Sequence, residues 1–290
     1  MYFHVRHCET WLSKNNFIDR FVTFNGLGDN EKFGRLGNQL FQIAATIGVA
    51  RRNHVAYVFP SWKYSSFFQK ALPQTKFRLS ANKTYYEKSF TYQPIDIYCS
   101  INLSGFFQSE KYFAHCENEV RKVFTPHPRI SEQLTTRFGK LLAGRTCSVH
   151  VRRTDYLENS NFTDLASTSY YEEAIGRLDE KTRFIVFSDD ISWCKRLFHG
   201  KRFIFIEGKS DICDIYDLFL MARCQSHIIA NSSFSWWGAW LNANPDKIVI
   251  APAQWFAGEF ANPAMSFDPG PPHTGFHSTK DLLPENWIRI

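Results

Sequence analysis

Several features are missing from these 290 residues, and each absence excludes a class of protein. Lysine and arginine are scattered, with no block of five or six like charges, and the net charge is only +6. A nucleic-acid-binding face is therefore not expected; a mildly basic chain suits a small anionic ligand better than a polyanion. No run approaches the length of about 18 apolar residues that a membrane-spanning helix needs. Met1–Thr10 also lacks the apolar core of a secretory signal. The seven cysteines (Cys8, Cys99, Cys116, Cys147, Cys194, Cys213 and Cys224) form no CxxC pair, and several sit in apolar runs as buried thiols would. These absences imply a soluble chain of a reducing compartment, the cytoplasm, or one parted from an anchor. There is no HExxH, no EF-hand loop and no cluster among the ten histidines. Ser188-Asp189-Asp190 is not an Asp-x-Asp metal pair and reads as a helix cap. Neither a Walker A loop nor a GxGxxG fingerprint is present.

What the chain does have is apolar residues at 44% and aromatics at 17%, enough for a large packed core in one big domain or two ordinary ones. The second half alternates clearly. Strands are predicted at Cys147–Val151, Arg183–Phe187, Arg202–Ile206, His227–Ala230 and, last, Lys247–Ile250. Helices are predicted over Tyr170–Leu178, from the Ser188–Asp190 cap to about Phe198, over Asp211–Cys224, and from near Ser235. Short β-branched runs separated by helical patterns mean parallel strands joined by crossover helices. The first half is less regular: a strand at Phe21–Phe24, a glycine-broken loop, a helix from about Asn38 to Arg52, and a strand Val55–Phe59 ended by Pro60. The span from Lys70 to Gln108 has weak periodicity and no elements are assigned to it. Thr125-Pro-His-Pro128 marks a boundary ahead of a helix at Ile130–Leu142, giving units 1–128 and 129–290. Two α/β halves facing a cleft is the expected architecture.

CSVHVRRTDY, residues 147–156, places Arg152 and Arg153 where a strand leaves the sheet. Ligands of parallel sheets collect beyond the carboxyl ends of strands, and guanidinium groups grip phosphate with paired hydrogen bonds. The alternative is a solvated pair, or one bound to Asp155 and Glu158. IIANSSFSWW ends a second strand in Asn231-Ser232-Ser233 and opens a helix at once, which offers an anion site at a helix N-terminus or an ordinary serine cap. Asp217, in the helix before that strand, can accept from the N1–H and N2–H₂ of guanine, or simply face solvent. In GRLGNQLFQ, Gly37 permits close backbone approach, and Asn38 and Gln39 offer neutral donors and acceptors. Trp236, Trp237 and Trp255 are candidates for stacking on sugar faces, against core packing.

GRLGNQLFQ, VHVRRTDY, IIANSSFSWWGAWL followed by KIVIAP, and the closing LPENWIRI together resemble the α1,2-fucosyltransferases of glycosyltransferase family 11, from Gly34 to Ile290. HxRRxD is shared with α1,6-fucosyltransferases and GRxGNQ with protein O-fucosyltransferases. The resemblance implies a GT-B-like α/β fold of two Rossmann-type doubly wound domains, with 1–128 on the acceptor side and 129–290 binding the donor. It implies GDP-β-L-fucose as donor, a galactose-terminated glycan as acceptor at its 2-hydroxyl, inversion to an α-linkage, and no metal. By motif match, Arg152 and Arg153 would hold the GDP phosphates, His150 the nucleotide, Asp217 the guanine, and Ser232 and Ser233, beside Asn231, the β-phosphate. Asn38, flanked by Gly37 and Gln39, would contribute from the N-terminal domain. Asp155 is the first candidate for general base and Glu158 the second; Ser160 stands where the α1,6 relatives carry a glutamate base. The first 33 residues match no part of the family. Transfer from another GDP-sugar or anionic donor, and an inactive glycan-binding relative, are the competing readings.

Overall fold

Thr146–Val151 is buried at all six positions, as a strand covered on both faces by crossover helices must be. It lies at the centre of a six-stranded sheet, the largest of three among the described residues. The computed structural model describes residues 20–75, 79–207, 213–268 and 273–290. Among them the strands are β1 (Phe21–Thr23), β2 (Ala56–Tyr57), β3 (Phe59–Pro60), β4 (Gln74–Thr75), β5 (Lys83–Tyr86) and β6 (Ile101–Ser104). They continue with β7 (Thr146–Val151), β8 (Arg183–Ser188), β9 (Phe203–Phe205), β10 (Ser226–Ile228), β11 (Ile248–Ala251) and β12 (Ile288–Arg289). The chain forms two compact units, 1–125 with Phe267–Thr274, and 126–266 with 275–290.

In the second unit all strands run parallel in the order β12-β11-β10-β7-β8-β9. The chain starts in the middle, winds out through β8 to β9, then returns to β10 and winds the other way. This is the Rossmann order, and its direction reverses between β7 and β10. Helices Tyr170–Gly176, Ile191–Leu197, Cys213–Met221 and Ser233–Leu241 follow β7, β8, β9 and β10. Cys147, Val149, Val151, Phe184, Val186, Ile228 and Ile250 form the core with Tyr170, Tyr171 and Ala174. Each such large apolar side chain contributes about 1.5–3 kcal/mol by leaving water. The two tyrosines keep their hydroxyls bonded: Tyr170 donates to the Ile229 carbonyl at 2.6 Å and Tyr171 to the His150 carbonyl at 3.0 Å.

The first unit has a four-stranded parallel sheet in the order β2-β1-β6-β5, with β3 and β4 paired separately. Its two in-sheet steps, β1 to β2 and β5 to β6, run the same way across it. Helix Leu36–Arg52 buries every residue from Leu36 to Ala50 except Asn38, so it is a central helix rather than an amphipathic surface one. Gly48 lets it approach the Tyr112 backbone: a Cβ there would run into that carbonyl. Asn53 ends the helix, donating to the carbonyls of Val49 and Ile95 at 2.8 Å each.

Some expectations are corrected. Val55–Phe59 is two strands in different sheets, because Val58 N–H bonds Val22 while Phe59 N–H turns to Pro73. Pro60 is itself the last residue of β3, opposite Thr75. Residues 70–108 hold β4, β5 and β6, strands of two to four residues, too short to show a period. β11 is not the last strand, since β12 adds a parallel edge beside it. The helix expected from Asp211 is described from Cys213; Asp211 and Ile212 lie outside the described residues, as do 1–19 with Cys8. Trp236, Trp237 and Trp255 are all core residues, at most 2% exposed, so none is a sugar platform.

Candidate functional site

At the end of β7 the chain turns through Arg152 and Arg153 into a single turn of helix, Thr154–Leu157. The two guanidinium groups avoid mutual repulsion by taking different partners. Arg152 places Nη2 2.6 Å from Asp155 Oδ1 and Nη1 3.0 Å from Asp189 Oδ2. Arg153 lies over the Trp193 indole at 4.4 Å, with Nε 3.5 Å from Asp190 Oδ2. That Nε is buried and makes no hydrogen bond. Both side chains are only 16–20% exposed, so an anion here would meet positive charge of reduced hydration.

Asp189, just past β8, organises the turn. Besides Arg152, its carboxylate accepts from the Arg153 backbone N–H at 3.0 Å and the Thr154 hydroxyl at 2.7 Å. Asp190 does the capping expected of this stretch, accepting from Trp193 N–H at 2.9 Å. The capping signal hid Asp189. Its position at the carboxyl end of the strand beside β7 was the sign that could have found it.

Beyond β10, Ser232 is the N-cap of helix Ser233–Leu241, its hydroxyl accepting from Phe234 N–H at 3.4 Å. Asn231 is committed to structure: its amide donates to the Thr163 and Trp255 carbonyls at 2.9 Å each. Two contacts bring this turn against the arginine turn. The Tyr156 hydroxyl donates to the Asn231 carbonyl at 2.9 Å, and the His150 ring lies 5.6 Å from Phe234. Arg152, Arg153, Asp155, His150, Asn231, Ser232 and Ser233 thus gather where the sheet order reverses, the place ligands occupy in open α/β sheets. Guanidinium groups and the N–H groups of a helix start are the kinds of donor that hold an anion.

His150 is buried and held neutral: burial, then the neighbouring Arg152, pushes its pKa down to about 3. Its Nδ1 makes no hydrogen bond. Asp217 lies half-buried in the helix Cys213–Met221, its pKa pushed up to about 7 by burial and then by Asp214, with Arg137 opposing.

In the first unit, Gly37, Asn38 and Gln39 open the central helix. Gln39 donates to Asn30 Oδ1 at 2.8 Å and the Gly34 carbonyl at 3.1 Å, and accepts from Trp62 Nε1 at 2.8 Å. Its polar atoms brace the preceding turn rather than face a ligand. Gln42 adds a bond to the Phe33 carbonyl at 2.9 Å. Gly34 has φ +79°, and a Cβ there would collide with the Asn38 amide. Asn38 Oδ1 accepts from Gln108 at 2.9 Å. Gln108 follows a turn held by the buried Glu87, which accepts from Phe106 and Phe107 N–H at 2.7 and 3.0 Å. Burial pushes Glu87 up to about 8 against the pull of those two bonds. Among the described residues, no group of three or more His, Cys, Asp or Glu side chains is placed to hold a metal ion, and no helix is long and apolar enough to cross a membrane.

Residues 29–269 match the profile of glycosyl transferase family 11. The chain belongs to that family. Among relatives, it is 38% identical over 202 residues to the α-1,2-colitosyltransferase of Escherichia coli, covering 66% of this chain and 63% of that protein. To the human galactoside α-(1,2)-fucosyltransferase 1 it is 26% identical over 241 residues, 75% of this chain and 66% of that protein. The match therefore spans just under two thirds of each of these relatives. Among solved structures, the NodZ α-1,6-fucosyltransferase soaked with GDP-fucose aligns at TM-score 0.51 and 14% identity, over 77% of this chain and 92% of that one. POFUT1 in complex with GDP-fucose aligns at TM-score 0.51 and 13% identity, over 81% and 99%. At such identities the likeness speaks for the fold, which is α/β and GT-B-like. In this family 11 chain the motifs HVRRTD and NSSFS lie side by side in one unit, and GRLGNQ belongs to the other.

Proposed function

We propose that this family 11 member transfers L-fucose from GDP-β-L-fucose to the 2-hydroxyl of a galactose-terminated glycan, inverting the anomeric carbon. The observation that carries the reading is the pair of partly buried arginines beside a helix N-terminus at the β7/β10 reversal. Arg152 and Arg153 grip the pyrophosphate, and the Ser232–Ser233 turn offers it hydroxyl and N–H donors. Asp217 accepts from the guanine, and His150 lines the nucleotide site as a neutral ring. Asn38 serves as a substrate contact of the first unit. The acceptor hydroxyl attacks the anomeric carbon from the face opposite GDP, through an oxocarbenium-like transition state. The C–O bond to GDP breaks, and the charge growing on the leaving phosphate is met by both guanidinium groups without a metal. Asp155, with one oxygen committed to Arg152 at 2.6 Å, orients that arginine, and the proton of the attacking hydroxyl is lost to water.

A second reading has one observation in its favour: the E. coli relative at 38% identity is named for colitose. Competition between GDP-fucose and GDP-colitose on one galactoside, with the product linkage read by NMR, separates the two donors. Titration calorimetry with GDP, ADP and UDP tests what they share. If GDP binds no more tightly than the others, both readings fail.

The pH dependence of GDP affinity follows from Asp217. Guanine needs the carboxylate form, and burial with Asp214 nearby pushes the Asp217 pKa up to about 7. Below that value the proton must be lost on binding, so affinity should fall by up to about tenfold per pH unit and level off above about pH 8. Titrations between pH 5.5 and 8.5 should show this slope in the wild type and not in Asp217→Asn. The same slope in both proteins would remove Asp217 from the guanine site.

A further inference from the structure

The first unit has a cavity of its own, of about 700 Å³, within the roughly 300–1,000 Å³ of small-ligand sites. It opens at the carboxyl ends of β1, β5 and β6, the edge of a parallel sheet where ligands collect. Asn25, Tyr86, Asn102 and Ser104 line it from the sheet, and Asp29 and Lys32 from the short helix after β1. Its polar floor is already ordered. Asn102 Oδ1 accepts from the Asn25 N–H at 2.7 Å, and the Asn25 amide donates to the Leu79 carbonyl at 3.0 Å. Asp29 caps the helix, accepting from Lys32 N–H at 3.2 Å. Tyr86 stands at the cavity, half exposed at 50%.

The charge of the lining decides the ligand class. One carboxylate, Asp29, accompanies one ammonium, Lys32, and the remaining polar groups are amides and hydroxyls. A diphosphate would find a single cation with an anion three residues away, against two guanidinium groups in the other unit. A ring bearing several hydroxyls finds neutral donors and acceptors in quantity, with an exposed aromatic face for its C–H side.

We propose that this cavity binds neutral sugar rings of the acceptor glycan, with Tyr86 as the stacking platform and the Asn25–Asn102 floor and Asp29 as hydrogen-bonding partners. Only the naming of that sugar as the acceptor rests on the fucosyltransferase reading; the preference for a neutral sugar rests on the lining. Tyr86 supplies the separable variant, because half of its surface is already in water and its removal leaves the floor network in place.

The test is saturation-transfer NMR on the full chain with lactose and no donor, followed by the same titration with Tyr86→Ala and Tyr86→Phe. Lactose should receive saturation from the wild type and from Tyr86→Phe, and at least fivefold less from Tyr86→Ala. Adding GDP should leave the lactose signal in place. No transfer to lactose from the wild type, an unchanged signal with Tyr86→Ala, or displacement of lactose by GDP would each overturn the proposal. In parallel, Tyr86→Ala should raise the acceptor KM about tenfold or more with the KM for GDP-fucose unchanged. A protein that binds GDP and transfers fucose with the acceptor KM unmoved by Tyr86→Ala loses this inference and keeps the proposed function. One that binds lactose through Tyr86 but does not prefer GDP loses the proposed function and keeps the cavity.

Discussion

Arg153→Ala is expected to lower kcat/KM for transfer by about 10²–10³-fold, the usual loss when one donor to a developing negative charge is removed from a preorganised site. Stability should change little. The side chain contributes a stack on Trp193 and a long 3.5 Å ion pair with Asp190, together about 1 kcal/mol. Asp190 keeps its capping bond to Trp193 N–H without the arginine. Arg153→Lys should recover only a small part of the activity, since an ammonium is a point charge without the two-pronged fit to phosphate oxygens. Steady-state kinetics beside a thermal melt measure both halves of the expectation. Near-normal transfer with an intact fold would end the phosphate-clamp role.

Asp189→Ala should be the next most damaging change, costing roughly 10–10² in kcat/KM and, unlike Arg153→Ala, also stability. One carboxylate holds Arg152 Nη1, the Arg153 N–H and the Thr154 hydroxyl. Its removal leaves those donors unmet and frees the start of the turn to move. Breaking such a partly buried pair costs about 3 kcal/mol, less what water recovers at its exposed edge. Asp189→Asn keeps an oxygen for the N–H and the hydroxyl but loses the charge facing Arg152, and should lie between the two. The loss should fall on the KM for GDP-fucose and on GDP affinity, with the acceptor KM unchanged. Equal damage to both substrates would mean a general loss of folding rather than misplaced arginines.

The second unit was largely legible because its strands are continuous β-branched and aromatic runs such as RFIVF and HIIA, each followed by a capped helix. Burial on both faces imposes that pattern; β7 and β8 lie within a residue of where it puts them, and β10 within two. The first unit was harder to read. β2, β3 and β4 are two residues each, and their pairing depends on which carbonyl each N–H meets across the fold. β12 is a two-residue edge strand with both residues exposed, so no apolar signal marks it. Within the candidate site, HVRRTD and NSSFS could be placed on one sheet edge from the order of strands and helices alone. The partners could not: which carboxylate each arginine takes depends on the sideways neighbour of β7. That neighbour brings Asp189, from 36 residues further along, to the Arg153 N–H. For Gln39 and Asn231 the motifs pointed to ligand contact, and the structure gives their amides to carbonyls and a tryptophan instead.

The bracing by Gln39 and Gln42 has a consequence for redesign. These two side chains tie the turn around Asn30, Phe33 and Gly34 to the buried helix from within, so the turn's shape does not depend on what Lys32 or Tyr86 present outward. Libraries at those two rim positions can therefore be large without unfolding the unit, while Gly34, Gln39 and Gln42 stay constant. Selection for new glycan preferences can then work on the rim as an interchangeable surface, with the brace as its fixed mount.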